Sequence, residues 1–215
     1  MYEFLQHEIQ FFIFCLTTLF TLINPIGISP ILIIMTERFS KKEKINIAKK
    51  GSLTAFITLI LFSLLGSVIF NFFGITIEAF QIMGGILFFR NGLKTLDSKI
   101  GRSRTTPAEQ EESQESDDIA ISPIGIPLIA GPGAITATML LSSQTPQIYS
   151  YISLGLSIMI VLTFVYVILR NSDVLMRVLS TSIIRIIHRL MGLILLVIAV
   201  QFVINGTISV IKPLL

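Results

Sequence analysis

The stretch TLINPIGISP, residues 21–30, decides how this chain is read. It sits inside an uncharged run bounded by Glu8 and Glu37, long enough to be a membrane helix. Yet Asn24, Pro25, Gly27 and Pro30 fall within seven residues. A proline lacks the N–H that a helix needs, and its ring crowds the preceding turn. In hydrocarbon the backbone groups released in this way find no water, so such backbone is tolerated only where protein or a cavity surrounds it.

Composition sets the solvent. The 215 residues are 53% hydrophobic and 13% charged, with a mean hydropathy of +0.83, which excludes an ordinary soluble domain and marks an integral membrane protein. The single cysteine, Cys15, excludes an intrachain disulfide and a cysteine-built metal cluster. There is no phosphate-binding GxxxxGK[ST] motif, which argues against an ATP-driven pump. Neither cofactor nor nucleic acid is expected.

Uncharged windows of about 20 residues predict an all-α, polytopic protein of six transmembrane helices, near residues 9–36, 51–72, 75–96, 119–141, 148–169 and 189–211. The first is not a cleaved signal, because its flank MYEFLQHE is acidic and no small-residue cleavage site follows. Loops on one side of this arrangement carry six (37–50), five (90–104) and four (170–189) Lys and Arg, leaving Lys212 alone on the other. The positive-inside rule then puts both termini outside the cytoplasm. The expected location is the cell inner (plasma) membrane.

The polar, acidic segment TTPAEQEESQESDD, residues 105–118, reads as a disordered linker. It divides the chain into a three-helix repeat (1–96), a cytoplasmic linker (97–118) and a second three-helix repeat (119–215). MGGIL at 83–87 matches MGLIL at 191–195 at an offset of 108, and Pro25 matches Pro132 of GIPLIAGPGAIT at 107. PIGI at 25–28 and 123–126 offers a rival register of 98. Three spans per half bring the second half into the membrane from the opposite side, so repeats of this kind are inverted ones.

Helices one and four are the ones broken by proline and glycine. Asn24 lies about 15 residues beyond Ile9, roughly 22 Å of helix against a hydrocarbon core of about 30 Å, so the break is at membrane depth. The half-helices after Pro25 and Gly133 begin at that depth with their positive ends directed at it, and the half-helices before them end there in free carbonyls. Such a centre holds a carboxylate and an ammonium without charged side chains. A zwitterion fits. The bland alternative is a pair of proline kinks that serve packing.

NPIGISP, GIPLIAGPGAIT, FQIMGGILFFRNGLKTL (80–96) and RLMGLILLVIAVQFVING (189–206) together resemble the MarC family of bacterial and archaeal inner-membrane proteins, over essentially the whole chain. The resemblance implies six spans and a relation to LysE-type amino-acid exporters. It also implies a substrate among small neutral amino acids of the glycine, alanine and serine class, with coupling to H+ or Na+ left open. The candidate substrate-binding set is Asn24, Pro25, Gly27 and Pro30 at the first break, with Pro127, Gly131, Pro132, Gly133 and Thr136 at the second.

Other residues carry competing readings. Asn24 is read as a substrate contact ahead of a structural cap. For Ser29, Ser122, Thr136 and Thr138, bonding back to their own helix is the commoner use. Glu78, the only acid inside a proposed span, is read as an interfacial carboxylate rather than a proton carrier. Gln81, Gln201 and Asn205 line a cavity or bond between helices. Gly84, Gly85 and the pairs Ser63/Ser67 and Ser153/Ser157 allow close helix contact, and His7 and His188 are placed at the membrane edges. NGT at 205–207 is a weak glycosylation match. The leading reading is a secondary transporter. Its rivals are a non-transporting scaffold or efflux-related protein and an intramembrane enzyme, for which the spans supply no nucleophile–base pair, paired aspartates or metal triad.

Overall fold

The computed structural model describes residues 2–97, 116–144 and 148–212. Most of the segment read as a linker therefore lies outside the described residues. The described chain is helical, and no strand occurs in it. In order run α1 (Tyr2–Ile23), α2 (Pro25–Met35), α3 (Lys41–Phe73), α4 (Ile77–Asp97), the one-turn α5 (Ser116–Ile119), a wide π-type coil (Ala120–Ile129), α6 (Pro132–Gln144), α7 (Ile148–Arg170), α8 (Ser172–Val178) and α9 (Thr181–Ile211).

Four helices are long and apolar enough to cross a membrane: Gln6–Met35, Lys41–Phe73, Ile148–Arg170 and Ser182–Ile211. The coil and α6, bent by 61° across their junction, form a fifth crossing if they count as one span. α4, interrupted by Glu78, Arg90 and Lys94, is not among them. Large apolar side chains point outward, among them Phe72, Val178 and Val197 at 82%, 74% and 71% exposure. That is the surface a lipid solvent calls for.

Two helices are longer than their uncharged windows. The segment 41–50, expected as loop, is helical because Ser40 and Glu43 close a capping box: the Ser40 Oγ accepts from the Glu43 N–H and the Glu43 carboxylate accepts from the Ser40 N–H, at 3.4 and 2.8 Å. Ser180 caps α9 through its hydroxyl alone, accepting from the Ile183 N–H at 3.3 Å. At 33 and 31 residues, these helices reach about 50 and 46 Å and overrun a hydrocarbon core of about 30 Å. α3 stops at Gly74, whose φ of 64° suits a residue without Cβ.

Lipid tails are as apolar as leucine, so helices in a bilayer are held by close fit and polar ties rather than by hydrophobic burial. α4 and α9 show the first. They run antiparallel, with Gly85 beside Ala199, Gly92 beside Gly192, and Gly206 beside Glu78. A Cβ on Gly85 would lie 2.8 Å from the Ala199 carbonyl oxygen, and one on Gly92 would lie 3.1 Å from that of Gly192. These small residues recur every seven positions on each helix, which keeps the seam on one face. Gly84 faces the other way, onto the Thr136 methyl.

α1 and α7 show the second. Glu8 accepts from the Ser150 and Ser153 hydroxyls at 3.1 and 3.2 Å, and one turn on the Ser157 hydroxyl donates to the Phe12 carbonyl at 3.2 Å. The residue numbers rise together, so these helices are parallel. So are α3 and the broken element: Gly51 meets Ala120 and Ile124, and Gly66 meets Met139. Of the two serine pairs expected to bring helices together, Ser153 and Ser157 both face α1, whereas Ser63 is buried and Ser67 exposed.

Candidate functional site

The first break is one residue wide. Asn24 has φ 51° and ψ 66°, the only non-glycine residue with positive φ among those described; asparagine tolerates this region because its short side chain bonds locally. Its N–H still reaches the Phe20 carbonyl at 2.9 Å, and its own carbonyl accepts from Gly27 and Ile28 at 2.9 and 3.1 Å. The Oδ1 accepts from the Gly27 N–H at 3.2 Å. Asn24 thus acts as the N-cap of α2, with Pro25 in the first-turn position where a missing N–H costs nothing. Pro30 does not end α2, which continues to Met35, and Ser29 bonds back to the Pro25 carbonyl at 3.0 Å.

Gly27 makes room for a side chain from the far end of the sequence. A Cβ there would lie 2.6 Å from His188 Nε2 and 2.8 Å from Asn24 Nδ2. Both ring nitrogens of His188 are buried. α9 begins at Thr181, about two turns before His188, and carries the imidazole onto the first break, a contact the sequence did not indicate.

The second break is wider. Each residue before a proline is pushed out of the helical region by the proline ring, and Ser122 and Ile126, preceding Pro123 and Pro127, are extended at φ −133°. The coil closes on a π-type bond from the Ala130 N–H to the Gly125 carbonyl at 2.9 Å. α6 then starts at Pro132 after a turn in which Gly131 lies close over the Pro127 carbonyl, 2.9 Å from where its Cβ would be. The expected helix over 119–141 is therefore one turn of α-helix, a coil and a second helix. The two breaks match in placing a proline first in the following helix, after Asn24 and after Gly131, but differ in form.

The breaks adjoin. A Cβ on Gly133 would meet Leu22 Cδ2 at 3.3 Å and Asn91 Nδ2 at 3.0 Å, so the end of α1, the start of α6 and the amide of α4 share one place. Thr18, one turn before Leu22 on the same face of α1, is fully buried with a hydroxyl that has no hydrogen-bond partner. Its neighbour Thr17 bonds back to Ile13 at 2.8 Å. Of the sequence-derived set, Asn24, Pro25, Pro30, Gly133 and Thr136 are buried and Gly27 and Gly131 half-buried, while Pro127 and Pro132 are exposed. Thr138 bonds back to Ala134 at 2.8 Å. Among the described residues Gln201 and Asn205 neither line this place nor join two helices of this chain; Gln201 Nε2 donates to Asn205 Oδ1 at 2.7 Å within α9.

The family model described as "MarC family integral membrane protein" matches residues 9–211. The chain belongs to the MarC family. It is 37% identical over 201 residues to a UPF0056 membrane protein of Methanocaldococcus jannaschii, covering 94% of this chain and 88% of that one. It is 35% identical to the UPF0056 membrane protein YvbG of Bacillus subtilis (90% and 92% covered) and 31% identical to YhcE of Escherichia coli (92% of each). No solved structure matches it.

Two polar groups beside the breaks of this MarC-family chain, Thr18 and Asn91, were not singled out in the sequence, and His188 was not connected there with the first break. Asn91 lies inside the quoted FQIMGGILFFRNGLKTL but directly after Arg90, where the charge suggested a loop. Its place beside Gly133 depends on how α4 docks, and no local pattern records that.

Proposed function

We propose that this chain is a secondary transporter of small neutral amino acids, with its substrate site where the two breaks adjoin. The observation that carries the reading is the shared position of Leu22, Gly133 and Asn91: it unites two interruptions 107 residues apart. There the first-turn N–H groups of α6 offer a carboxylate an anion site, while the carbonyls that Pro25 and Pro132 leave without donors suit an ammonium. The Asn91 amide and the Thr18 hydroxyl add neutral polar contacts suited to a small substrate.

Six spans in two inverted halves, with both termini outside the cytoplasm, belong to the same proposal. α4 lies flush with α9 from Glu78 beside Gly206 to Leu96 beside Gly192, about 27 Å of helix, so a bilayer that contains α9 contains α4 too. Adding 107 to one member of the pair Gly85·Ala199 and subtracting it from the other yields Gly192·Gly92, which is also a contact. The same operation turns Phe12·Ser157 into 119·50, one residue from the observed Ala120·Gly51. Each broken helix thus runs parallel to the second helix of the other half, as inverted repeats require. Among the described residues no three His, Cys, Asp or Glu converge.

The test is labelled glycine flux into liposomes containing the purified protein, under imposed proton or sodium gradients. Excess alanine or serine is expected to suppress it, and lysine or glutamate is not, because a second charge at that depth costs at least about 2.5 kcal/mol. Absence of flux for glycine, alanine and serine under either gradient overturns the proposal.

A further inference from the structure

α9 has two unlike faces. Gly192, Leu195, Ala199, Phe202 and Gly206 are buried against the bundle, with Phe202 stacked on Phe14 and set edge-on to Phe88. Opposite them Val197, Ile204 and Ile208 are exposed. On that outward side stand two amides, Gln201 and Asn205, both exposed and one turn apart.

Their depth makes them unusual. Gln201 is twelve residues beyond Arg189 and eleven before Lys212, with no charge between, so about 17 Å of helix separates it from either polar end. The antiparallel seam puts it level with residues 83–87, the middle of α4. Two side-chain amides hold four N–H donors and two oxygens, and the single bond between them, at 2.7 Å, uses one of each. Three N–H groups and one oxygen remain directed at a solvent that offers no partner.

We propose that this face of α9 is the interface of a homodimer, in which Gln201 and Asn205 of one copy bond to those of the second. A second copy inserted the same way round, related by a two-fold axis along the membrane normal, brings the same donors and acceptors to the same depth; another protein would need amides placed at that height by coincidence. Amides are among the side chains that join helices across a bilayer.

The experiment is disulfide trapping in native membranes, in a Cys15→Ala background because Cys15 is the only cysteine. Ile208→Cys is expected to give a cross-linked dimer on oxidation, and Leu64→Cys, exposed on α3, is expected to stay monomeric. Replacing Gln201 and Asn205 together by leucine should lower the Ile208→Cys cross-link by about tenfold at equal expression. Stepwise photobleaching of the otherwise unmodified, singly labelled protein at low density should show two steps. Cross-linking undiminished in the double-leucine variant overturns the proposal. Single-step bleaching does the same, and assigns the face to lipid or to an unrelated partner.

Discussion

The imidazole of His188 lies where the side chain of residue 27 would be: a Cβ on Gly27 falls 2.6 Å from Nε2 and 2.7 Å from Cε1. Side-chain carbons do not approach so closely, so any residue larger than glycine at position 27 displaces the ring. Two residues 161 positions apart are thereby tied to the cap of the first break.

Gly27→Ala is expected to leave the protein inserted and to lower flux by about tenfold, near the 1.4 kcal/mol that overpacking of one methyl readily supplies. Adding His188→Ala opens the space and should restore flux to within a few-fold of the parent. Flux in proteoliposomes at matched protein content is the measurement. A double variant as poor as Gly27→Ala would show that the ring is not what the methyl displaces.

Asn24 separates capping from substrate contact through two substitutions. Asn24→Ala forces alanine into the left-handed region at about 1–2 kcal/mol and loses a cap worth about 1 kcal/mol. Asn24→Gly loses only the cap, so its melting temperature in detergent should lie between the parent and Asn24→Ala. If the free Nδ2 also contacts substrate, flux falls in both variants. Full flux in Asn24→Gly would confine Asn24 to the cap.

The seam between α4 and α9 predicts position-specific costs. Gly92→Leu, opposite the Gly192 carbonyl, should destabilise by about 1–3 kcal/mol, as overpacking does. Gly155→Ala has nothing within 4 Å of its added methyl, and should be neutral or stabilising by up to about 1 kcal/mol through helix propensity. Denaturant titration in mixed micelles, followed by helical circular dichroism, compares them. Equal destabilisation by both would refute the packing account.

Topology is tested in intact cells in a Cys15→Ala background. Cysteine at Ile75, exposed between α3 and α4, should react with an impermeant maleimide, whereas cysteine at Lys42, exposed at the start of α3, should react only after permeabilisation. The reverse pattern overturns the proposed orientation, and with it the assignment of the basic loops to the cytoplasm.

What the sequence determined by itself is local chemistry. Fifty-three percent hydrophobic residues and long uncharged windows dictate a helical membrane protein, and Pro25 and Pro132 mark where its two broken helices are interrupted, because a missing N–H and a crowding ring act on the adjacent turn alone; Pro30, by contrast, lies within α2. Gly84 and Gly85 also announced close helix contact, and Gly85 supplies it against α9 and Gly84 against Thr136. Tertiary structure alone decided the rest: that Leu22 meets Gly133, that Asn91 and His188 reach the two breaks, and that Glu8 receives two serine hydroxyls from α7. In a soluble protein an apolar face reveals which side of a helix turns inward. Here lipid and interior are equally apolar, so leucine and isoleucine stand on both sides, and only the fit of small residues and the pairing of a few polar groups orients each helix. That information lies between helices distant in sequence. It becomes visible only when they are packed.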